Sequence, residues 1–209
     1  MKINPTDALI VTDIQNDFCP GGALAVLHGD KTIPVINRIS RRFPFVVATQ
    51  DWHPKGHLSF ASSHPGRKPL ESMVIDGIPQ VLWPDHCVQG SQGADFHPDL
   101  DITPFNYMLR KGTNPRVDSY SAFKENDQKI RTGLEGLLKG LGIQRVFVCG
   151  LTTDYCVRAT SRDARDAGFS VVLIEDACRA VDMPKGSLED ALREMRELGV
   201  VIASSMDLE

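Results

Sequence analysis

The chain has no run approaching the ~20 consecutive apolar residues of a membrane span. Its opening, MKINPTDALIVTDIQNDF, lacks the basic head, apolar core and small-residue cleavage site of a secretory signal. Neither a membrane role nor a signal peptide is expected. Blocks of like charge are missing too: 23 Lys and Arg lie scattered among 27 Asp and Glu, for a net charge of −4. That distribution argues against nucleic acid and polybasic membrane contact. Cys19, Cys87, Cys149, Cys156 and Cys178 form no CxxC pair and follow no regular spacing. A zinc finger and a disulfide framework are therefore excluded, and a reducing cytoplasm is the expected compartment. No GxGxxG or P-loop sequence occurs, so no bound dinucleotide is expected.

What remains is an ordinary globular composition, 42% hydrophobic and 24% charged over 209 residues. A chain of this length fits one domain with a substantial core, here residues 1–209. Short apolar runs alternate with segments of helical periodicity. Ala8 to Thr12 reads as a buried strand, and Lys31 to Arg42 as a helix with Ile33, Ile36 and Ile39 inward and Pro34 in its first turn. Further strands are expected over Phe45 to Ala48, Asn106 to Arg110, Val146 to Cys149, Ser170 to Ile174 and Val200 to Ala203. Helices are expected over Asp127 to Leu141, with Ile130, Leu134, Leu137, Leu138 and Leu141 inward, after Cys156, and over Gly186 to Leu198. The alternation predicts an α/β fold: a doubly wound, six-stranded parallel sheet of Rossmann-like topology with helices on both faces. A connection rich in Pro and Gly, about 54–104, shows little regular structure and is long enough to be a site-forming insertion.

The chemistry gathers at the expected strand ends. Asp13 follows the first strand, Asp51 the second, Lys111 the third, and Glu175-Asp176 the fifth. In a doubly wound sheet these ends point the same way. Cys156 follows the strand of RVFVCGLTTDYC at the start of a helix, where N–H groups favour a thiolate. The same thiol would also serve as a small apolar residue packing that helix. Asp13, Lys111 and Cys156 together make sense as an activated thiol, with Lys111 supplying positive charge and Asp13 the base. The turn offers the backbone amides of Thr152 and Cys156 to an oxyanion. Asp51 and His53 share one face of an extended segment, and His86 in VLWPDHCVQG completes a facial metal set. His57 and His64 are a fourth ligand or outer partners, and His97 reads as surface. Zinc suits these donors, as do iron and manganese.

Five segments, IVTDIQNDFCPGGALAV, ATQDWHPKGHLSFAS, LWPDHCVQGSQGA, LRKGTNPRVDSYSAF and CGLTTDYCVRAT, resemble, in order, the nicotinamidases (pyrazinamidases) of the isochorismatase-like cysteine hydrolases. The resemblance implies a metal-dependent amidohydrolase acting on a small molecule, converting nicotinamide to nicotinate and ammonia through a thioester. It implies a triad of Asp13, Lys111 and Cys156, one divalent metal on Asp51, His53 and His86, and an oxyanion hole of Thr152 and Cys156 amides behind a cis Leu151 to Thr152 peptide. Phe18, Leu24, Trp83, Tyr120 and Tyr155 match the ring-enclosing positions. Only three residues separate His53 from His57, so His57 is placed beside the metal ligands rather than among them. Competing expectations are another amidohydrolase of this fold, an idle metal-binding protein, and a thiol sensor with Cys149 as partner. The sequence leaves oligomeric state open, with a homo-oligomer among the options.

Overall fold

Runs such as ALIVT, VVAT and RVFVCG are too short and too uniformly apolar for surface helices, and they become strands buried on both faces. In the computed structural model, which describes residues 1–209, the strands are β1 (Asp7–Thr12), β2 (Val46–Asp51), β3 (Ser72–Ile75), β4 (Ile78–Val81), β5 (Tyr107–Lys111), β6 (Arg145–Leu151), β7 (Ser170–Arg179) and β8 (Val201–Ala203). The helices are α1 (Ile33–Ser40), α2 (Leu134–Gly140), α3 (Arg158–Asp166) and α4 (Ser187–Glu197). Six strands form one sheet in the order β5-β2-β1-β6-β7-β8, every pair parallel. The expected six-stranded parallel sheet flanked by helices is therefore present. No helix is long and apolar enough to cross a membrane.

The order reverses between the adjacent central strands β1 and β6. Open α/β sheets place ligands at the carboxyl ends of the strands beside such a reversal. Thr12 pairs with Gly150 at the last position of the β1–β6 ladder, and Asp51 pairs with Lys111 at the end of β2–β5. Lys111 and Leu109 are the buried residues of β5, whose other three side chains are exposed. The two-residue period of a strand thus turns Lys111 inward.

Four expectations need correction. The helix expected over Asp127 to Leu141 exists only as Leu134–Gly140. Before it, the Asp127 carboxylate accepts the N–H groups of Lys129 and Ile130, a local turn that competes with helix. Ile130 and Leu141 consequently stand exposed at 43% and 50%, not inward. The strand at Ser170 does not end at Glu175-Asp176; β7 runs on to Arg179 through a register irregularity against β6. Asp176 is spent accepting from Ser205 N–H and Oγ. Cys156 lies not in an α-helix but in a wide turn, Thr153–Val157, where Val157 N–H reaches back five residues to Thr152 O at 3.0 Å, before α3 begins. Finally, the 54–104 connection holds a hairpin, β3–β4, turning at Asp76-Gly77 with φ of 50° and 81°. Asp-Gly between two apolar runs is the sequence signature of that turn.

Candidate active site

The carboxyl ends of the strands bring Lys111, Asp51, Asp13 and Cys156 together across β5, β2, β1 and β6. Lys111 is the hub. Its Nζ lies 2.9 Å from Asp13 Oδ2, donates to Asp51 Oδ1 and to Ser119 O at 3.0 Å, and stands 3.4 Å from Cys156 Sγ. The side chains of Lys111 and Asp13 are wholly buried. Burial alone would depress the Lys111 pKa, but the carboxylates of Asp13 and Asp51 outweigh it and hold the ammonium well above its ordinary range. Asp13 Oδ1 accepts from Thr49 Oγ1 at 2.5 Å, while Oδ2 has no aligned hydrogen-bond donor. Burial raises the Asp13 carboxyl above the usual carboxylate value, with Lys111 pulling the other way. Burial likewise pushes the Cys156 thiol well up against the opposing charge of Lys111. The resting sulfur is therefore a thiol and requires a base, and an oxygen of Asp13 lies within 4.8 Å of it.

The second cluster is built differently. Asp51 comes from the end of β2, but His53 and His86 come from irregular chain. His53 Nδ1 donates to Gly112 O at 3.0 Å and His86 Nδ1 to Pro84 O at 2.8 Å. With a carbonyl on each Nδ1, the proton sits there and both Nε2 lone pairs face Asp51 Oδ2, at 3.8 and 3.9 Å. Burial lowers both imidazoles to about 4, so they are neutral near pH 7. Three acceptors thus converge with no donor between them, an arrangement that fits a cation. Gly112, at φ 64°, lets the chain pass where a Cβ would strike the His53 ring.

His57 does not join the set: Nδ1 pairs with Ser59 Oγ and Nε2 with Asn114 O, both at 2.8 Å, so both ring nitrogens are engaged while the ring stacks 4.4 Å from that of His53. His64 Nε2 is taken by Leu58 O. Cys149 is buried in the main core, outside the pocket.

Residues of both clusters line one pocket. Cys156 and Thr152 line one part and Asp51, His53 and His86 another; Phe18, Leu24, Trp83, Tyr120 and Tyr155 make the walls. All five aromatic and aliphatic positions named from the sequence therefore meet here. Trp83 and Tyr155 stack edge to face at 4.8 Å, and Trp83 Nε1 donates to Tyr120 Oη at 3.2 Å. The Leu151–Thr152 peptide is cis. Two lining residues are not reached from the sequence. Asp118 is buried, accepting from Gln80 Nε2 at 3.0 Å and Ser119 N–H at 2.8 Å. Val181 arrives because the buried Asp154 accepts the N–H groups of Val181 and Asp182 and the Ser187 hydroxyl. Both sit in irregular chain with no period or motif to flag them.

Parallel sheet, strand-edge thiol and convergent acceptors define a class. Residues 7–207 match the isochorismatase domain, and the chain belongs to that family, among its nicotinamidase/pyrazinamidase members. It is 49% identical to the nicotinamidase of Acinetobacter baylyi, over 100% of this chain and 97% of that one. An L. infantum protein solved in complex with nicotinate is 43% identical, with a TM-score of 0.88 and coverage of 100% and 98%. Pyrococcus horikoshii pyrazinamidase, solved in complex with zinc, is 40% identical, with a TM-score of 0.77 and coverage of 96% and 99%.

Proposed function

We propose that this chain hydrolyses nicotinamide to nicotinate and ammonia, and pyrazinamide to pyrazinoate, with Cys156 as nucleophile, serving pyridine nucleotide salvage. The observation carrying the reading is one pocket, walled by aromatic rings, whose lining includes both a thiol beside Lys111 and Asp13 and three metal-type acceptors. Residues 1–209 act as one catalytic unit, with 54–104 as the insertion supplying Trp83 and His86.

Asp13 takes the thiol proton as Sγ attacks the carboxamide carbon. The amides of Thr152 and Cys156 receive the oxyanion. Collapse expels the amine as Asp13 returns the proton to it, leaving a thioester on Cys156. Asp13 then takes a proton from water as that water attacks, and nicotinate departs as the thiol is restored. Lys111 remains charged throughout and holds Asp13 and the sulfur in register. Phe18, Leu24, Trp83, Tyr120 and Tyr155 enclose the ring and exclude bulk water. Asp51, His53 and His86 would hold one divalent cation, zinc by preference with iron and manganese as alternatives, and such a cation supplies a Lewis-acid anchor for the pyridine nitrogen. The zinc complex of the P. horikoshii relative supports this assignment.

The test is ammonia release from nicotinamide by wild type beside Cys156→Ala, before and after chelation. Wild type should release ammonia, the variant none, and chelation should weaken release. A folded, metal-loaded wild type that leaves nicotinamide intact would retire this substrate.

A further inference from the structure

The carboxylate of Asp17 takes no part in the chemistry above, yet it joins the two halves of the site that bind rather than react. Its Oδ2 accepts the Cys87 N–H at 2.7 Å. That N–H belongs to the peptide joining His86 to Cys87, and the carbonyl of Cys87 in turn accepts the His53 N–H at 3.0 Å. Cys87 is held there at φ 46°, a conformation a non-glycine residue adopts only when its surroundings impose it. The other carboxylate oxygen of Asp17, Oδ1, accepts the Ala23 N–H at 3.2 Å, and the Asp17 carbonyl accepts Leu24 N–H at 2.9 Å. Those bonds close the loop that carries Phe18 and Leu24. Phe18 then meets the His86 ring edge-on, with centroids 5.5 Å apart. On the remaining side Gly93 packs so closely that a Cβ there would overlap the Asp17 carboxylate.

We propose that Asp17 is a positioning residue that clamps the ring-enclosing loop to the peptide behind His86, so that one carboxylate sets metal affinity and substrate affinity together. The substrate half of this inference rests on the nicotinamidase reading; the metal half does not. Both neighbours of the carboxylate are N–H donors, so an amide at this position must turn its NH₂ towards one of them and lose that bond while keeping the shape.

Zinc affinity of the metal-free protein, measured by competition with a chromophoric chelator without substrate, is compared for wild type, Asp17→Asn and Gly93→Ala. KM and kcat for nicotinamide are measured on the zinc-loaded proteins, and the thermal midpoint is recorded for each. Both variants should weaken zinc binding about tenfold, the lower end of what loss of a partner behind a metal ligand costs, and raise KM by a similar factor. The kcat should move less than about threefold, because Cys156, Lys111 and Asp13 stand on other elements. A lowered midpoint with zinc affinity and KM unchanged would reduce Asp17 to a loop staple and overturn the proposal. A raised KM with unchanged zinc affinity would overturn it equally, since the two would then be independent. A wild type that does not turn over nicotinamide counts against the substrate alone; the zinc comparison still decides the clamp.

Discussion

The two ends of the pocket reach similar burial by different means. At the thiol end, Lys111 is placed by strand register, pairing across the ladder with Asp51, and Asp13 follows β1 directly at φ 52°, its N–H bonded to Thr49 O. At the metal end, the rings of His53 and His86 are each aimed by one hydrogen bond, to the carbonyls of Gly112 and Pro84. A ladder distributes positional error over many bonds, whereas a loop ligand relies on one or two. The thiol end should therefore be geometrically tolerant and chemically intolerant, and the metal end the reverse.

Asp13→Asn attacks the chemistry and leaves the geometry. With its proton acceptor gone, kcat should fall about 10²–10⁴-fold, while zinc affinity changes by less than about threefold. An equal loss of both would erase the distinction between the ends. Gly112→Ala does the opposite: it forces a Cβ against the His53 ring at a φ that disfavours alanine. Zinc affinity should drop about tenfold and stability by about 1–2 kcal/mol, read by competition and by chemical unfolding.

The pH dependence of metal binding sharpens the contrast further. Ordinary histidines near 6.5 would begin losing metal to protons in mildly acidic buffer, by up to about tenfold per pH unit for each ring. His53 and His86, lowered to about 4 by burial, remain neutral until much lower pH. In the metal-free protein, imidazole protonation followed by NMR should set in only as pH approaches 4, and an onset at about pH 6.5 would contradict their burial; any earlier loss of zinc belongs to Asp51, whose carboxyl burial raises above its usual value. At the small end of the scale, Ile130→Ser should cost no more than about 1 kcal/mol of stability, because Ile130 stands outside both clusters and is 43% exposed.

The same contrast explains what could be read before folding. Asp13, Asp51, Lys111 and Cys156 were legible because a parallel strand announces its own end and ends of parallel strands share an edge. The three metal-set residues were legible as donor types, but their convergence depends on backbone carbonyls that no side-chain pattern encodes. Ile130 and Leu141 looked like a helix face because apolar spacing is blind to the Asp127 turn that breaks the helix before Leu134. The Asp76-Gly77 hairpin was legible in principle, its turn signal lying inside a stretch otherwise full of Pro and Gly. Asp118 was not, since a lone carboxylate seven residues beyond Lys111 looks like any solvated loop residue until Gln80 and Ser119 close around it.

Asp51 gives one oxygen to Lys111 and turns the other towards two imidazoles. The nucleophile and the metal centre are consequently not separate modules. A lineage that discarded the metal would still have reason to keep Asp51 as a partner of Lys111, and a designer grafting the thiol onto another sheet would have to carry this carboxylate along. Substrate range in such a scaffold should diversify through the aromatic walls, where residues can change one at a time, long before it diversifies through the shared floor.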